Sequence, residues 1–382
     1  MSETLKRLKA QLGGLAAIWL LGLATGCSQL PRVPADAPLD QRVAVFRAEA
    51  DKVLASVDPG GPGLSVVVSM GDDVVFAGNA GLANVAERRR IDGSTAFELA
   101  SLSKPITAIA VLQLVEHGQL RLNDAVTRWL PELPSTWGAI TIEDLLAQRS
   151  GIPEFMTNMT PQALKAIDGL DNQALIRKLA THPDLAFVPG TASRYSNTNY
   201  VLLSEIVARS SGMPFALYVS CNIFDPLELT SSFVDGAPVP PGVQQALNFG
   251  TTRLTNGIEL HVVGPLGIYS STRDMNRLLT ELIAGHVLTP AMVQAMTHPQ
   301  SHAPSFDSGE QYGLGWAVPP AGSSARTFAH LGEKDGFRSV AFVDAASGVR
   351  YVILANGGEP TAKARDKIRF LIQTYLQWPR KS

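Results

Sequence analysis

Several signatures of metal-dependent and cofactor-dependent enzymes are missing from this 382-residue sequence. It contains no His-Glu-x-x-His segment, and its seven histidines show no metal-ligand spacing. No glycine-rich phosphate loop follows a predicted strand, and no Gly-x-Ser-x-Gly segment marks the nucleophile turn of α/β-hydrolases. A metal enzyme, a nucleotide enzyme and an α/β-hydrolase are therefore not expected.

Charge and cysteine are also scarce. Charged residues make up 17% of the chain and the formal net charge is −2, so the sequence lacks the basic footprint of a nucleic-acid-binding protein. The two cysteines are Cys27 and Cys221. If Cys27 carries a lipid, Cys221 is left alone and no disulfide is expected. The apolar helical pattern around Cys221 predicts that it is a small core residue.

A long apolar segment occurs at the N-terminus, where three basic residues precede an apolar run at 12–23. The run is short for a membrane span and ends in small residues, as a secretory signal peptide does. The ending Thr25-Gly26-Cys27 resembles a bacterial lipobox, although Ala24 stands where leucine is usual. The alternative is an ordinary signal peptide that is cut nearby.

These features predict an exported protein of the bacterial periplasm or cell envelope, held at a membrane by a lipid on Cys27. Residues 1–26 would be the lipoprotein signal peptide and 27–41 a proline-rich tether. Residues 42–380 would form the folded domain. The sequence leaves open which membrane holds the anchor.

The folded part has strand patterns near both ends and helical patterns between them. Strands are predicted at 64–70, 74–77, 312–318, 326–330, 338–344 and 350–356. We therefore expect an α/β (α+β) fold with an antiparallel sheet layer from about 42–100 and 310–380. A mostly helical insert from about 101–309 would complete it, with a cleft between the two layers.

Ser101 and Lys104 form the first candidate catalytic pair. They are three residues apart where an extended segment changes to an apolar helical pattern, so both fall on one face of a first helical turn. A serine there would have an amine base beside it and free backbone N–H groups for an oxyanion. The alternative is that Ser101 only caps the helix and Lys104 is a solvated residue of its first turn.

Two later triplets carry further candidates. Tyr195-Ser196-Asn197 precedes a predicted helix, where a phenol can move protons and an amide can orient a base. His330-Leu331-Gly332 is predicted to end a strand, with His330 as a donor facing the cleft and Gly332 letting a substrate backbone approach. Each triplet alone is a weak signal.

In this order, Ser-x-x-Lys, Tyr-x-Asn and His-x-Gly resemble the serine β-lactamase and penicillin-recognising enzyme superfamily, and most closely its class C branch. The likeness runs from about residue 43 to 377. Flanking segments that also fit are Leu145–Pro153, Tyr195–Leu203, Tyr312–Trp316 and Gly336-Phe337. The resemblance implies the β-lactamase/transpeptidase-like fold and a serine hydrolase that cleaves an amide or ester through an acyl-enzyme, without metal or organic cofactor.

The resemblance also implies a role for each candidate residue. Ser101 would be the nucleophile, Lys104 its base and Tyr195 the proton relay. Asn197 would orient Lys104 and the substrate. The backbone N–H groups of Ser101 and Glu333 would form the oxyanion hole. His330 would hold a substrate carboxylate or polarise Tyr195.

Departures from the family pattern bear on the substrate. Class C β-lactamases carry Lys-Thr-Gly where this chain has His330-Leu331-Gly332, and Leu331 cannot donate a hydroxyl hydrogen bond. Glu333 adds a negative charge, which would repel an anionic substrate. Gln148 also replaces the usual histidine, in a segment expected to be structural. These departures argue against an efficient β-lactamase.

Several functions stay open at this point. They are an esterase or amidase, a D-alanyl-D-alanine carboxypeptidase or penicillin-binding protein, a class C-type β-lactamase, and a non-catalytic lipoprotein with the same fold that only binds. We expect a small-molecule or peptide substrate, no nucleic-acid partner and a monomer.

Overall fold

The computed structural model describes residues 30–34, 37–156, 165–249, 260–301 and 310–376. The expected signal peptide at 1–26, Cys27 and residues 377–380 of the expected domain lie outside these ranges. Within them, no helix is long and apolar enough to cross a membrane.

The helices and strands are numbered in chain order. The helices are α1 (Leu39–Ala55), α2 (Ser103–Glu116), α3 (Val126–Trp129), α4 (Ile142–Leu146), α5 (Asn172–Leu179), α6 (Asn197–Ser211), α7 (Phe215–Val219), α8 (Thr272–Ala284), α9 (Pro290–Met296) and α10 (Glu359–Tyr375). The strands are β1 (Leu64–Met70), β2 (Asp73–Ala80), β3 (Leu82–Asn84), β4 (Arg89–Arg90), β5 (Phe97–Glu98), β6 (Phe233–Val234), β7 (Ile268–Ser270), β8 (Gln311–Tyr312), β9 (Ala317–Val318), β10 (Thr327–Lys334), β11 (Phe337–Asp344) and β12 (Val349–Ala355).

A seven-stranded antiparallel sheet joins the two ends of the chain. Its strand order is β2-β1-β12-β11-β10-β9-β8, and β1 pairs with β12 from Leu64 opposite Ala355 to Met70 opposite Val349. Two small sheets, β3-β4 and β5-β7-β6, lie within the described residues as well. The expected fold class is confirmed, including the largely helical middle of the chain.

The two faces of this sheet have different partners. Strand residues alternate between faces, so Val66 and Val68 of β1 pack with α1 and α10 whereas Val67 packs with the helical layer around α2. We call the α1/α10 side the outer face and the α2 side the inner face. Burial on both faces fits the β-branched, apolar character of the central strands.

Helix α2 fills the core of the helical layer. Its residues from Ser103 to Leu114 are all buried, consistent with an almost wholly apolar sequence. Buried residues of α6 pack in the same cluster. Thr107 Oγ1 of α2 also donates to Gly264 O (2.8 Å), which fixes the 264–267 loop beside the first turn of the helix.

The first described residues are docked on the domain. Leu30 and Val33, within the expected tether, pack against the outer-face cluster, and Tyr375 Oη donates to Pro31 O at 3.0 Å. This part of the segment is therefore bound to the outer face and is not a free linker.

Two sequence predictions about local structure are wrong. Cys221 is exposed, because α7 continues into a π-helical turn (Ser220–Phe224) that buries Ile223 and Phe224 and leaves Cys221 toward solvent. The strand predicted at 312–318 is split into β8 and β9. Gly315 interrupts it with φ +100°, where a Cβ would come within 2.7 Å of the Ala108 side chain of α2.

We predict that Asn356→Ala lowers the free energy of unfolding by about 3 kcal/mol, because it leaves several buried backbone groups without partners. The fully buried Asn356 amide accepts from Gly63 N (2.9 Å) and donates to Leu82 O (3.1 Å) and Leu247 O (2.8 Å). Urea unfolding measures the loss. The control is Asn79→Ala on an exposed stretch of β2, where the side chain accepts one hydrogen bond, from Ser65 Oγ (2.7 Å). Because Ser65 Oγ keeps a second partner in Thr272 Oγ1, this variant should lose less than about 1 kcal/mol. Equal losses in the two variants would contradict this account.

Candidate active site

Ser101 lies in a tight turn between β5 and α2. The turn is a 3-10 helix at Ala100–Leu102, and Ala100 has φ +52°, a left-handed conformation that costs a non-glycine residue roughly 1–2 kcal/mol. Leu99, the residue before Ala100, is held by both of its backbone polar groups. Its N donates to Ile268 O (2.8 Å), and its O accepts from Ser339 Oγ (2.6 Å). These contacts hold the turn in its strained shape.

Gly332 is the strand residue against which this turn packs. A Cβ on Gly332 would lie 2.0 Å from Leu99 O, 2.2 Å from Ser339 Oγ and 3.1 Å from Leu102 N. The glycine is therefore required by the approach of the serine turn, and not by a substrate backbone as the sequence suggested. Strand β10 also does not end at the triplet, since it continues to Lys334.

Lys104 is fully buried, so it is not the solvated first-turn residue that the alternative interpretation required. Its Nζ lies 3.0 Å from Ser101 Oγ, 2.6 Å from Asn197 Oδ1 and 3.3 Å from Pro265 O. The two carbonyl oxygens can only accept hydrogen bonds. A neutral amine can donate one N–H to each of them and keep its lone pair for the Ser101 hydroxyl proton.

Burial favours this neutral amine. It lowers the pKa of Lys104 to about 7, although the nearby carboxylates of Glu154 and Glu98 act in the opposite direction. An ordinary lysine has a pKa of about 10.4. The amine beside Ser101 is therefore able to accept a proton near neutral pH.

Tyr195 is next to both members of the pair. The Ser101 side chain is near the Tyr195 hydroxyl and acts to lower the pKa of the phenol, and Lys104 Nζ lies 4.7 Å from the centroid of its ring. Burial, assisted by Tyr312, raises the pKa of the Tyr195 phenol well above its ordinary value. The phenol stays protonated and can donate or relay a proton, but it is not a resting base.

His330 is buried behind Tyr195 and does not carry a charge. Its Nδ1 lies 2.7 Å from Leu331 O, which can only accept, so the Nδ1 proton is fixed there. Its Nε2 then accepts from Tyr312 Oη at 2.9 Å. Burial, together with the charge of Lys104, lowers the pKa of His330 to about 3. Because both ring nitrogens are engaged, His330 has no free N–H with which to hold a substrate carboxylate. The alternative role, polarising Tyr195, stays a prediction.

Leu331 and Glu333 point away from the cleft. They alternate with the inward-facing Gly332, and Leu331 packs against the outer-face cluster. Glu333 lies opposite Arg338 in the β10–β11 register and forms an ion pair with it. The expectation that these two side chains would weaken binding of an anionic substrate is therefore wrong. For Glu333, the backbone N–H remains the candidate oxyanion donor.

The sequence interpretation did not identify Glu154, although it lies at the same cleft. Its Oε1 accepts from Met156 N (3.0 Å) and its Oε2 accepts from Asn197 N, at the first residue of α6. Burial raises the pKa of Glu154. The sequence signal is no more than an acidic residue after the turn Gly151-Ile152-Pro153, and a contact with a residue forty-three positions away cannot be deduced from that.

Gln148 has a structural role, as the sequence suggested for its segment. It is fully buried, and its Oε1 accepts from Ser196 N (2.9 Å) and Asn199 Nδ2 (2.7 Å). It therefore holds the backbone between Tyr195 and Asn197. In the part of the chain that the structure describes, no group of three or more His, Cys, Asp or Glu side chains could hold a metal ion.

We predict that Gly332→Ala lowers the rate at which Ser101 reacts with a serine-directed phosphonate by about 100-fold, because the new Cβ must displace the serine turn by an ångström or more. The rate of covalent labelling, followed by mass spectrometry, measures this. The control Gly93→Ala has no atom within 4 Å of the added Cβ and should react like the wild type. Unchanged labelling in Gly332→Ala would show that the turn does not depend on this packing.

The Beta-lactamase family model matches residues 39–376 of the chain. Over 298 aligned residues, the chain is 28% identical to Penicillin-binding protein 4* of Bacillus subtilis (strain 168), covering 72% of this chain and 64% of that protein. It is 29% identical to Esterase EstB of Burkholderia gladioli over 338 residues, covering 77% of this chain and 86% of the esterase. It also shares its fold with a penicillin binding protein from Bacillus halodurans, at a TM-score of 0.72 and 24% identity, covering 84% of this chain and 99% of that one.

Proposed function

The chain belongs to the beta-lactamase family, and on that basis we propose that it is a serine hydrolase that acts through an acyl-enzyme on Ser101. Its substrate would be an ester or amide that carries no carboxylate group. The observation that carries the proposal is the buried Lys104 amine, which lies within hydrogen-bond distance of both Ser101 Oγ and Asn197 Oδ1. A nucleophile with a base and an orienting amide is the minimum arrangement for acyl transfer.

Acylation begins at Ser101. Its oxygen attacks the substrate carbonyl carbon while the hydroxyl proton moves to Lys104 Nζ. The carbonyl oxygen becomes an oxyanion and is stabilised by the backbone N–H groups of Ser101 and Glu333. Asn197 and Pro265 hold the amine in place during the transfer, because each accepts one of its N–H groups.

Collapse of the tetrahedral intermediate needs a proton on the leaving oxygen or nitrogen. The Tyr195 phenol supplies it and regains a proton from the Lys104 ammonium, so that no free phenolate is required. In the second half-reaction a water gives its proton to the amine through the same phenol and attacks the acyl carbon. When the second tetrahedral intermediate collapses, the Lys104 ammonium returns its proton to Ser101 Oγ as the acyl carbon–oxygen bond breaks. This releases the carboxylic acid and restores both the Ser101 hydroxyl and the neutral amine.

The charges at the cleft support a substrate without a carboxylate. His330 is neutral, and the amine of Lys334, which follows Gly332 on the same strand face, pairs with Glu98 at 3.3 Å. The Glu154 carboxylate adds negative potential. The similarity to Esterase EstB, of which the chain covers 86%, favours an ester as the substrate. The similarity to Penicillin-binding protein 4* keeps a penicillin-binding protein as the alternative.

We predict that Ser101→Ala abolishes both covalent labelling by a penicillin or phosphonate probe and turnover of p-nitrophenyl butyrate, with a loss of at least about 10³-fold. The reason is that the substitution removes the hydroxyl that lies 3.0 Å from Lys104 Nζ and attacks the substrate. Intact-protein mass spectrometry and ester hydrolysis measure the two effects. The matched control is Ser103→Ala at the first residue of α2, where Ser103 Oγ accepts from Ile268 N (3.3 Å) and does not hydrogen-bond with the Lys104 amine; this variant should still be labelled and active. Labelling that persists in Ser101→Ala would contradict the proposal.

A substrate comparison on the wild-type protein separates the remaining functions. The short ester should give a higher kcat/KM than a chromogenic cephalosporin or a D-alanyl-D-alanine peptide. A higher value for either of the other two would replace the esterase assignment. A wild-type protein that is not labelled at Ser101 and turns over none of these substrates would identify the non-catalytic binder.

We also propose that the protein is exported and anchored to a membrane by a lipid on Cys27. The support is the basic group, the short apolar run and the small residues before Cys27. Such a signal would direct the protein to the bacterial periplasm or cell envelope.

Cys27→Ser should abolish incorporation of a clickable fatty acid during expression in a bacterium, because the thiol that accepts the lipid is gone. Gel fluorescence after membrane fractionation measures the label. Cys221→Ser, at the other cysteine, should be labelled like the wild type. A labelled Cys27→Ser protein, or an unlabelled wild type, would refute the anchor.

A further inference from the structure

We propose that Glu154 is a positioning residue of the reaction, whose carboxylate fixes Asn197 at the start of α6 and helps to set the charge on the Lys104 amine. This inference rests on the proposed function, since it acts through Lys104 as the base of Ser101. It adds a residue that lies in the segment between α4 and α5, outside all three sequence triplets.

The first line of evidence is the way the 153–156 segment is attached to α6. Phe155 N donates to Thr198 Oγ1 (3.0 Å), and Thr198 Oγ1 donates to Pro153 O (2.8 Å). Glu154 Oε2 accepts from Asn197 N between these two contacts. Three hydrogen bonds therefore clamp the segment to the first turn of the helix that carries Asn197.

The second line is that α6 has no cap of its own. Ser196 occupies the N-cap position, and its side chain makes no capping hydrogen bond. The first N–H groups of a helix need an acceptor, and a negative charge there is stabilised by the helix dipole. Glu154 supplies that acceptor from a distant part of the chain. Because Asn197 Oδ1 accepts from Lys104 Nζ at 2.6 Å, a shift of this helix end would also move the partner of the base.

The third line is the charge itself. Glu154 raises the pKa of Lys104 more than Glu98 does, against the larger lowering by burial. Glu98 is already paired with Lys334. The titratable or charged groups that face Lys104 from the surrounding elements are Glu98, Glu154, Tyr195, Tyr200 and His330. Glu154 is thus the main carboxylate available to stabilise the ammonium that forms when Lys104 takes the Ser101 proton.

The test is the pH dependence of kcat/KM for the short ester. The wild-type rate should fall below about pH 7, where Lys104 becomes protonated. Glu154→Gln keeps an oxygen that can accept from Asn197 N but removes the charge. The pKa of Lys104 should then fall, so the acid limb should move to lower pH by roughly one unit. Because the ammonium is less stable, the plateau rate should also fall.

The matched control is Asp274→Asn. Asp274 is likewise a buried carboxylate at a helix start, accepting from Ser231 N (2.7 Å) and Ser232 Oγ (2.9 Å), but it is not among the charges that face Lys104. It should lower the melting temperature and leave the acid limb in place. An acid limb that shows roughly no shift in folded Glu154→Gln would overturn the proposal.

A second measurement covers the case that Glu154→Gln does not fold. In the wild type labelled with ¹³Cε-lysine, the Lys104 resonance, assigned with Lys104→Arg, should titrate in two steps because a nearby carboxylate titrates with it. A single step would overturn the proposal. Neither result would affect the proposed function, which is tested separately by Ser101→Ala and by the substrate comparison.

Discussion

The buried amine of Lys104 is the constraint on which the site depends. An amine with no exposed surface must keep its hydrogen bonds and shed its charge easily, because an unpaired buried ammonium is costly. Ser101, Asn197 and Pro265 come from three separate parts of the chain to surround it. The same burial that makes the residue hard to accommodate is what makes it a base near neutral pH.

The fold meets this constraint by holding the serine turn between two layers. The turn packs against Gly332 on the inner face of the sheet, and α2 continues from it into the core of the helical layer. Ala100 keeps its strained backbone conformation only because the turn is held on both sides. The sheet on which the turn packs is itself held together by the pairing of β1 with β12, which come from opposite ends of the domain. The site therefore requires both ends of the domain.

Local spacing was enough to predict the parts of the site that lie on one element. Ser101 and Lys104 share a helical turn, and Tyr195 and Asn197 share the start of α6, so their proximity follows from three-residue and two-residue separations. The family resemblance then predicted that these two pairs belong to one active site. The sequence could not predict on which face of the sheet a strand residue lies, because that depends on the register of the strands. Leu331 and Glu333 were expected in the cleft, but they lie on the outer face. Nor could the sequence place Glu154 beside Asn197, or show that a π-helical turn would expose Cys221.

The docking of Leu30, Pro31 and Val33 on the outer face has a consequence for orientation. Two residues lie between Cys27 and Leu30, so Cys27 and Leu30 can be at most about 11 Å apart. A lipid on Cys27 would therefore hold the α1/α10 side close to the bilayer surface. The Ser101 turn packs on the opposite, inner face of the sheet. With such an anchor the catalytic residues would face the aqueous compartment, and substrates would arrive from solution and not by lateral diffusion in the membrane.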